Sequence, residues 1–535
     1  MHSAHSPAAA ALTPSKVFWW ITVACLAWAL GSFISSGNLD GYNDMLENYA
    51  WAQPFLLGTH KHPPFFAWVV GGWFSVFPQT DWAYRLLSYA NVAVGLAGVV
   101  FLGRRLGLGR LAYWGALLLL WSFPYTSLAG KFNANSQLLS VWPWAAGLLL
   151  ASWQEKGLKG WLYSIALGVV SAACMLSKYY SGVFLAGFLF PIFLHPQGRQ
   201  WLGTLRPYVA LLAFGLALLP HIAWMASHDW APIGYAMSQG EGDVVWRYVA
   251  RFALSPLFYW LPAWLALCLV FAKVHARHEG QSWGRSARTM LWKSWMPQGW
   301  GDVLFWLALT PWLFTLVCGI LGVAELSTPW AIPIGYAFAL LWLRNLNALQ
   351  PQTMDLALAK LGKAWWWVVA AVVVLSVVVA ELNARKQDSG YYRPTQDAAL
   401  AIAQAWQARH PDQSLGWVGG EWAENAMISF YALPGLRTVP QMPDSYPAQL
   451  AGLTDWQSHN GLILCPLGLA STRHNGESPC QQEAQQWLAQ QGLPVTPRVL
   501  TIARQGWRFP KPMPFAYAVY DVPARQAAQD VNLTQ

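Results

Sequence analysis

Apolar runs of bilayer-spanning length recur through the first three quarters of the chain, separated by short polar or basic loops, and then stop. They lie near 17–36, 82–103, 111–129, 136–153, 161–177, 181–195, 207–226, 256–273, 303–321, 330–344 and 365–382, which predicts about eleven crossings. A further apolar stretch, 63–77, is short and broken by Gly71 and Gly72. It predicts a half-inserted interfacial helix, with a twelfth crossing as the alternative. After Leu382 the pattern changes, and Gln, Asp, Arg and Pro rise. Stretches 397–410 and 481–491 predict amphipathic helices, and 414–419, 461–465, 498–503 and 515–522 predict short strands. The expectation is a membrane part over 1–382 and a small α/β soluble domain over 383–535.

Composition agrees. Of 535 residues, 55% are hydrophobic and only 11% charged, against about 25% charged in a soluble domain. The tail Met1 to Lys16 is small and polar and carries no cleavage signal, which predicts that 17–36 is a retained helix. The net charge of +9 does not call for nucleic acid. Basic residues collect in alternate loops, among them Arg104, Arg105, Arg110, Lys156, Lys159 and Arg199, and the intervening loops carry few. That asymmetry predicts a cytoplasmic N-terminus and a C-terminal domain on the outer face. Cys25, Cys174, Cys268 and Cys318 fall inside spans and read as packing residues. Cys465 and Cys480 are the only two in the outer domain and predict a disulfide if the host keeps that face oxidising, as a bacterial periplasm does.

Acids are scarce, yet Asp40, Asp44 and Glu47 stand together in the outer loop 37–81, just after the first span. Asp44 and Glu47 are spaced to share a helix face. Tyr49 and Trp51 suit an interfacial helix. A basic group of His60, Lys61 and His62 comes next, then Pro63 and Pro64, which fit the first turn of another helix. Carboxylates facing cations at a membrane surface suit one chemistry: a general base on an acceptor hydroxyl, with cations holding a lipid phosphate as leaving group. The alternative is a solvated loop joining two helices. Other outward loops add Asn133 and Asn135, Lys178 and Tyr179, His221 and Trp224, and Arg247 and Arg251, the last two sharing a helix face. Each has a structural reading too, as helix caps, snorkelling lysines or belt aromatics. The set Asp44, Glu47, His60 and His62 matches no zinc spacing, which leaves a divalent metal open and no cofactor certain.

The run DMLENYAWAQ at 44–53, with HPPFFAW after it at 62–68, resembles the first periplasmic loop of bacterial GT-C glycosyltransferases. These are related to protein O-mannosyltransferases, to aminoarabinose transferases acting on lipid A, and to rhizobial lipopolysaccharide-core transferases. Asp44 falls on the family's catalytic aspartate, with Trp51 and Gln53 in register. LSKY at 176–179, PHIAW at 220–224 with HDW at 228–230, PW at 329–330 and DWAYR at 81–85 extend the resemblance along the membrane part. Two positions depart from it: Met45 stands where the family often has glutamate, and Asn135 where many relatives carry aspartate.

The resemblance implies a GT-C-like fold and inverting transfer of a sugar from a polyprenyl-phosphate carrier to a glycolipid, to lipid A or core, or to a protein, at the periplasmic face of the inner membrane. Asp44 would be the base, with Glu47 and Asn135 in support. Lys61, His62 and Lys178 would hold the donor phosphate, with Arg247 and Arg251 as further candidates. Tyr179, His221, Trp224 and Trp330 would line the substrate cleft. No nucleotide-binding loop is present, which argues against an ATP-driven pump. The alternative function is a flippase or transporter of a lipid-linked sugar, although no internal repeat marks one.

Overall fold

A computed structural model describes residues 13–41, 43–53, 55–238, 244–385, 393–443, 453, 455–469, 478–504 and 513–525. Among them, seven helices are long and apolar enough to cross a membrane: α1 (Pro14–Ser35), α4 (Asp81–Arg105), α7 (Gly157–Ser177), α11 (Arg206–Ala226), α13 (Trp246–Glu279), α15 (Val303–Ile320) and α17 (Pro351–Arg385). Between the first two lie α2 (Asp44–Ala52) and α3 (Phe65–Phe74), the latter too short to span, as the interrupted pattern at 63–77 predicts. The helix ends obey local chemistry. The Thr13 side chain caps α1 ahead of Pro14, Thr80 caps α4, and Asp302 caps α15.

The expectation of eleven crossings is not confirmed, since four of the runs do not form helices long and apolar enough to be counted among the described residues. The run at 111–129 forms α5 (Leu111–Leu119) and then two 3-10 turns, Phe123–Tyr125 and Leu128–Gly130. The run at 181–195 splits into α8 (Ser181–Ala186) and α9 (Leu189–Leu194), with α10 (Pro196–Leu202) after them. The run at 330–344 opens with two 3-10 turns, Thr328–Ala331 and Ile334–Ala337, before α16 (Phe338–Leu349). Prolines 124, 329 and 333 sit in these breaks, where a missing N–H interrupts the helical ladder. Tyr125 and Tyr336 beside them are fully buried. Irregular backbone survives at membrane depth only where protein covers it, so hydropathy alone does not show that these segments are broken. The run at 136–153 is one continuous helix, α6 (Ala134–Gln154), but Asn135, Ser136, Gln137 and Ser140 make its first half polar, and most of its length is buried. It packs backbone to backbone on α4: a Cβ on Gly95 would lie 2.3 Å from the Leu139 carbonyl oxygen.

The C-terminal region forms a five-stranded sheet of β1 (Leu415–Gly420), β2 (Arg437–Thr438), β3 (Asn460–Leu469), β4 (Arg498–Ala503) and β5 (Pro514–Val522), in the order β2-β1-β3-β5-β4. β1 pairs in parallel with β2 and β3, and β5 runs antiparallel between β3 and β4. With it go α18 (Thr395–Gln407), α19 (Trp422–Tyr431) and α20 (Pro479–Gln490), so a small α/β domain is present. Its link to the membrane part, 386–392, lies outside the described residues.

α19 has no counterpart in the sequence pattern, and it is one of the elements that join the two parts. Phe430 places its ring 4.9 Å from Tyr49 of α2 and 5.5 Å from Phe74 of α3. The Tyr431 hydroxyl donates to Asp81 at 2.5 Å. The soluble domain therefore packs directly on the helix that carries Asp44 and Glu47.

Cys465 of β3 and Cys480 of α20 form the disulfide expected from the sequence, with Cα atoms 5.6 Å apart. Replacing both by serine is expected to cost about 3 kcal/mol for a loop of this length in the chain-entropy model. Thermal unfolding of the purified chain reads it; an unchanged midpoint would contradict the expectation.

Candidate active site

The acids are positioned by the start of α2. Asn43 takes a left-handed backbone (φ 58°) and offers no side-chain cap. Asp40 supplies it instead, accepting from the backbone N–H of Asp44 at 3.1 Å and of Met45 at 2.9 Å. Asp44 then opens the helix, with Glu47 one turn on. Both acids face one way, yet each has its own cation. Asp44 lies 2.6 Å from Lys131 Nζ, which also reaches Asp40 at 3.8 Å, and Glu47 lies 2.6 Å from Lys61 Nζ. Asn133 caps α6 with its side-chain oxygen and brings its amide nitrogen to 3.5 Å from Asp44. Burial pushes the Glu47 carboxyl above the usual carboxylate range, with Lys61 pulling the other way. Met45, where the family often has glutamate, is fully buried, and its carbonyl accepts from the Tyr84 hydroxyl at 2.7 Å.

Beside the acids opens a cavity of about 770 Å³ lined by Lys61, His62, Lys178, Tyr179, Arg251 and Trp330, among others. Lys178 comes directly after α7. Its Nζ donates to Asn135 Oδ1 at 2.7 Å and stands 5.3 Å from the Trp330 ring centroid. Burial pulls the Lys178 amine down to about 7, and Asp44 is near enough to oppose that shift. The cavity thus holds polar and cationic groups on an aromatic floor, with the Asp44 carboxylate within electrostatic reach.

Several expected roles need correction. His62 lines the cavity, and burial, reinforced by Lys178, Lys61 and His60, pulls its imidazole down to about 3. His60 is likewise pulled to about 3, chiefly by burial. Both remain neutral at physiological pH. Arg247 is exposed and lies 5.1 Å from the Tyr248 ring instead of lining the cavity; only Arg251 of the pair does so. His221 and Trp224 do not line it either. His221 is buried, with Nδ1 2.6 Å from the Leu57 carbonyl oxygen and Nε2 2.7 Å from the Tyr179 hydroxyl. Trp224 packs so closely on Gly58 that a Cβ there would lie 2.3 Å from its ring. These two residues fasten the first loop to α11.

Lys131 and Asn133 carry more of the site than sequence reasoning assigned them; the one signal was a lysine in a loop otherwise poor in basic residues. Trp422 of α19, 6.0 Å from Trp51 and 6.1 Å from His60, had no signal at all. Among the described residues, no group of three or more His, Cys, Asp or Glu side chains converges as metal ligands. Asp44 turns to Lys131, Glu47 to Lys61, and both histidines to Trp51, so this set does not fit a divalent cation.

Residues 61–224 match the family described as dolichyl-phosphate-mannose-protein mannosyltransferase. The whole fold is similar to the crystal structure of ArnT from Cupriavidus metallidurans bound to undecaprenyl phosphate, at 13% identity and a TM-score of 0.56, covering 95% of this chain and 98% of that one. The apo form of the same protein gives 14% identity and a TM-score of 0.54, covering 94% and 98%. No curated protein matches the sequence. The chain thus has the GT-C-type fold that its first loop resembles, a polytopic helical membrane part with a small C-terminal β-sheet domain.

Proposed function

We propose that the chain is a glycosyltransferase that moves a sugar from a polyprenyl-phosphate carrier to an acceptor hydroxyl, with inversion at the anomeric carbon. The observation that carries this reading is the pairing, at one end of the bundle, of the Asp44 carboxylate with an aromatic cavity holding Lys178, Lys61 and Arg251. Asp44 takes the proton of the acceptor hydroxyl as its oxygen attacks the anomeric carbon. The bond from that carbon to the phosphate oxygen breaks, and the phosphate keeps the electron pair. Lys178 and Arg251 stabilise that charge where it develops, with Lys61 completing the wall. Lys131 and Asn133 hold Asp44 in place. The relative with undecaprenyl phosphate bound supports a long-chain phosphate as the donor's leaving group. The acceptor is a glycolipid such as lipid A or core, or a protein hydroxyl.

The same reading places the chain in a bacterial inner membrane by about eleven crossings, counting the broken segments, with a cytoplasmic N-terminus. The membrane domain ends near 382 and the 383–535 domain lies in the periplasm. A phosphatase reporter fused after Asn383 is expected to be active and one fused within 280–295 silent; the reverse pattern contradicts the orientation.

Mass spectrometry of envelope glycolipids from a deletion strain tests the transfer. Loss of one sugar from one glycolipid, restored by the wild-type chain and not by an Asp44→Asn chain, is expected. Complete glycolipids and glycoproteins would contradict it.

A further inference from the structure

Helix α13 starts at the mouth of the Lys178 cavity, where Arg251 lines it, and runs to Glu279. At about 1.5 Å per residue, its far end lies roughly 40 Å from Arg251, beyond the thickness of a hydrocarbon core of about 30 Å. The next helix, α14 (Trp283–Lys293), therefore stands at the opposite membrane face. It packs on α13, where Cys268 meets the Met290 carbonyl, and Ser286, Ala287 and Met290 are its buried positions. Its other face leaves Trp292 67% exposed beside the exposed Arg285 and Arg288, with Lys293 exposed on its flank; Trp283, in the first turn, is 53% exposed. A tryptophan with basic residues on one exposed helix face is what a membrane interface selects.

A cavity of about 1070 Å³ opens beneath this helix. Its walls are apolar, with Leu257, Leu309, Trp264 and Trp312 among them, and Arg288 and Lys293 join the lining. A second cavity of about 610 Å³ shares Trp283 and adds Lys273 and Arg277. None of the described residues lining either cavity is acidic. Apolar walls of acyl-chain character under fixed positive charges, at the level of the headgroups, match a lipid carrying a phosphodiester.

We propose that this site binds an anionic glycerophospholipid from the leaflet opposite the Asp44 side. Its phosphate meets Arg288 and Lys293, and its chains lie along Leu257, Leu309 and Trp312. The site is separate from the Asp44 cavity and does not depend on the transfer reading.

Native mass spectrometry of the full chain in detergent, titrated with phosphatidylglycerol or phosphatidylcholine, tests it. The chain is expected to retain phosphatidylglycerol with about tenfold or greater preference, as two basic residues at a headgroup allow. Arg288→Gln with Lys293→Gln is expected to remove that preference, and Lys156→Gln with Lys159→Gln to leave it intact. A diazirine-bearing phosphatidylglycerol should crosslink to the peptide 283–293 in the unaltered chain, which decides the matter if the double variant does not insert. Equal retention of the two lipids, equal loss in the control variant, crosslinks confined to other peptides, or displacement of the crosslinking lipid by undecaprenyl phosphate would each overturn the proposal.

Discussion

Asp44→Asn is expected to lower sugar transfer by about two to four orders of magnitude, the range for loss of general base catalysis, while the protein still inserts and folds. The substitution leaves the helix start intact, because the cap on α2 comes from Asp40 and uses the backbone N–H of Asp44, not its side chain. It keeps an oxygen facing Lys131 and Asn133 and removes only the proton-accepting charge. Asp40→Asn is expected to be mild for transfer, since the amide oxygen keeps one of the two capping bonds and Lys131 keeps Asp44. Glu47→Gln is expected to be intermediate: it weakens the hold on Lys61, which lines the cavity. Initial rates with a lipid-linked donor separate the three. Near-normal transfer by Asp44→Asn with abolition by Glu47→Gln would make Glu47 the base. Full transfer in both would remove Asp44 and Glu47 as the base.

Lys178→Met is expected to weaken binding of polyprenyl phosphate by about thirtyfold or more, corresponding to about 2 kcal/mol or more for truncating one partner of a buried charge pair. The reason is the position of Lys178. It is held by Asn135 and Trp330 at the cavity wall, and burial has brought its amine to about 7 in the absence of an anion. A bound phosphate favours the protonated amine and raises its pKa, so binding takes up a proton. The contribution of Lys178 to affinity is therefore full below about 7 and falls as pH rises above it, by up to about tenfold per pH unit, until the pKa of the bound state is reached. Lys178→Arg keeps its charge and is expected to flatten that profile. Carrier affinity that is independent of pH between 6 and 9 in the wild-type chain, with no loss in Lys178→Met, would show that Lys178 does not meet the phosphate.

The sequence made the membrane class, four of the five sheet strands and the disulfide readable, because each depends on a local pattern or on a count of cysteines. It also pointed to a short helix carrying Asp44 and Glu47, which with Trp51 form a short amphipathic signature. It could not count the crossings. A run such as 111–129 is apolar enough to span, but its second half is wound into 3-10 turns around Tyr125 and covered by protein, and hydropathy does not distinguish protein cover from lipid. The site was half legible for a related reason. Charge type is written in the sequence, but ionisation depends on burial: His62 reads as a cation and is neutral, while Lys178 keeps its place with its amine brought near neutrality. Contacts across hundreds of residues left no trace. Nothing near Trp422, Phe430 or Tyr431 announces that α19 packs on α2 and α3, and nothing near His221 announces a bond to Leu57.

The most direct test tracks both ends of the bond that breaks. The purified chain is placed in proteoliposomes with a polyprenyl-phosphate sugar labelled separately on sugar and phosphate, together with envelope glycolipid as acceptor. The account predicts that labelled sugar appears on the acceptor with inverted configuration, in step with release of labelled free polyprenyl phosphate, and that Asp44→Asn stops both. If the two labels stay together and merely move to the other leaflet, the chain is a transporter of the lipid-linked sugar and the transferase account is wrong.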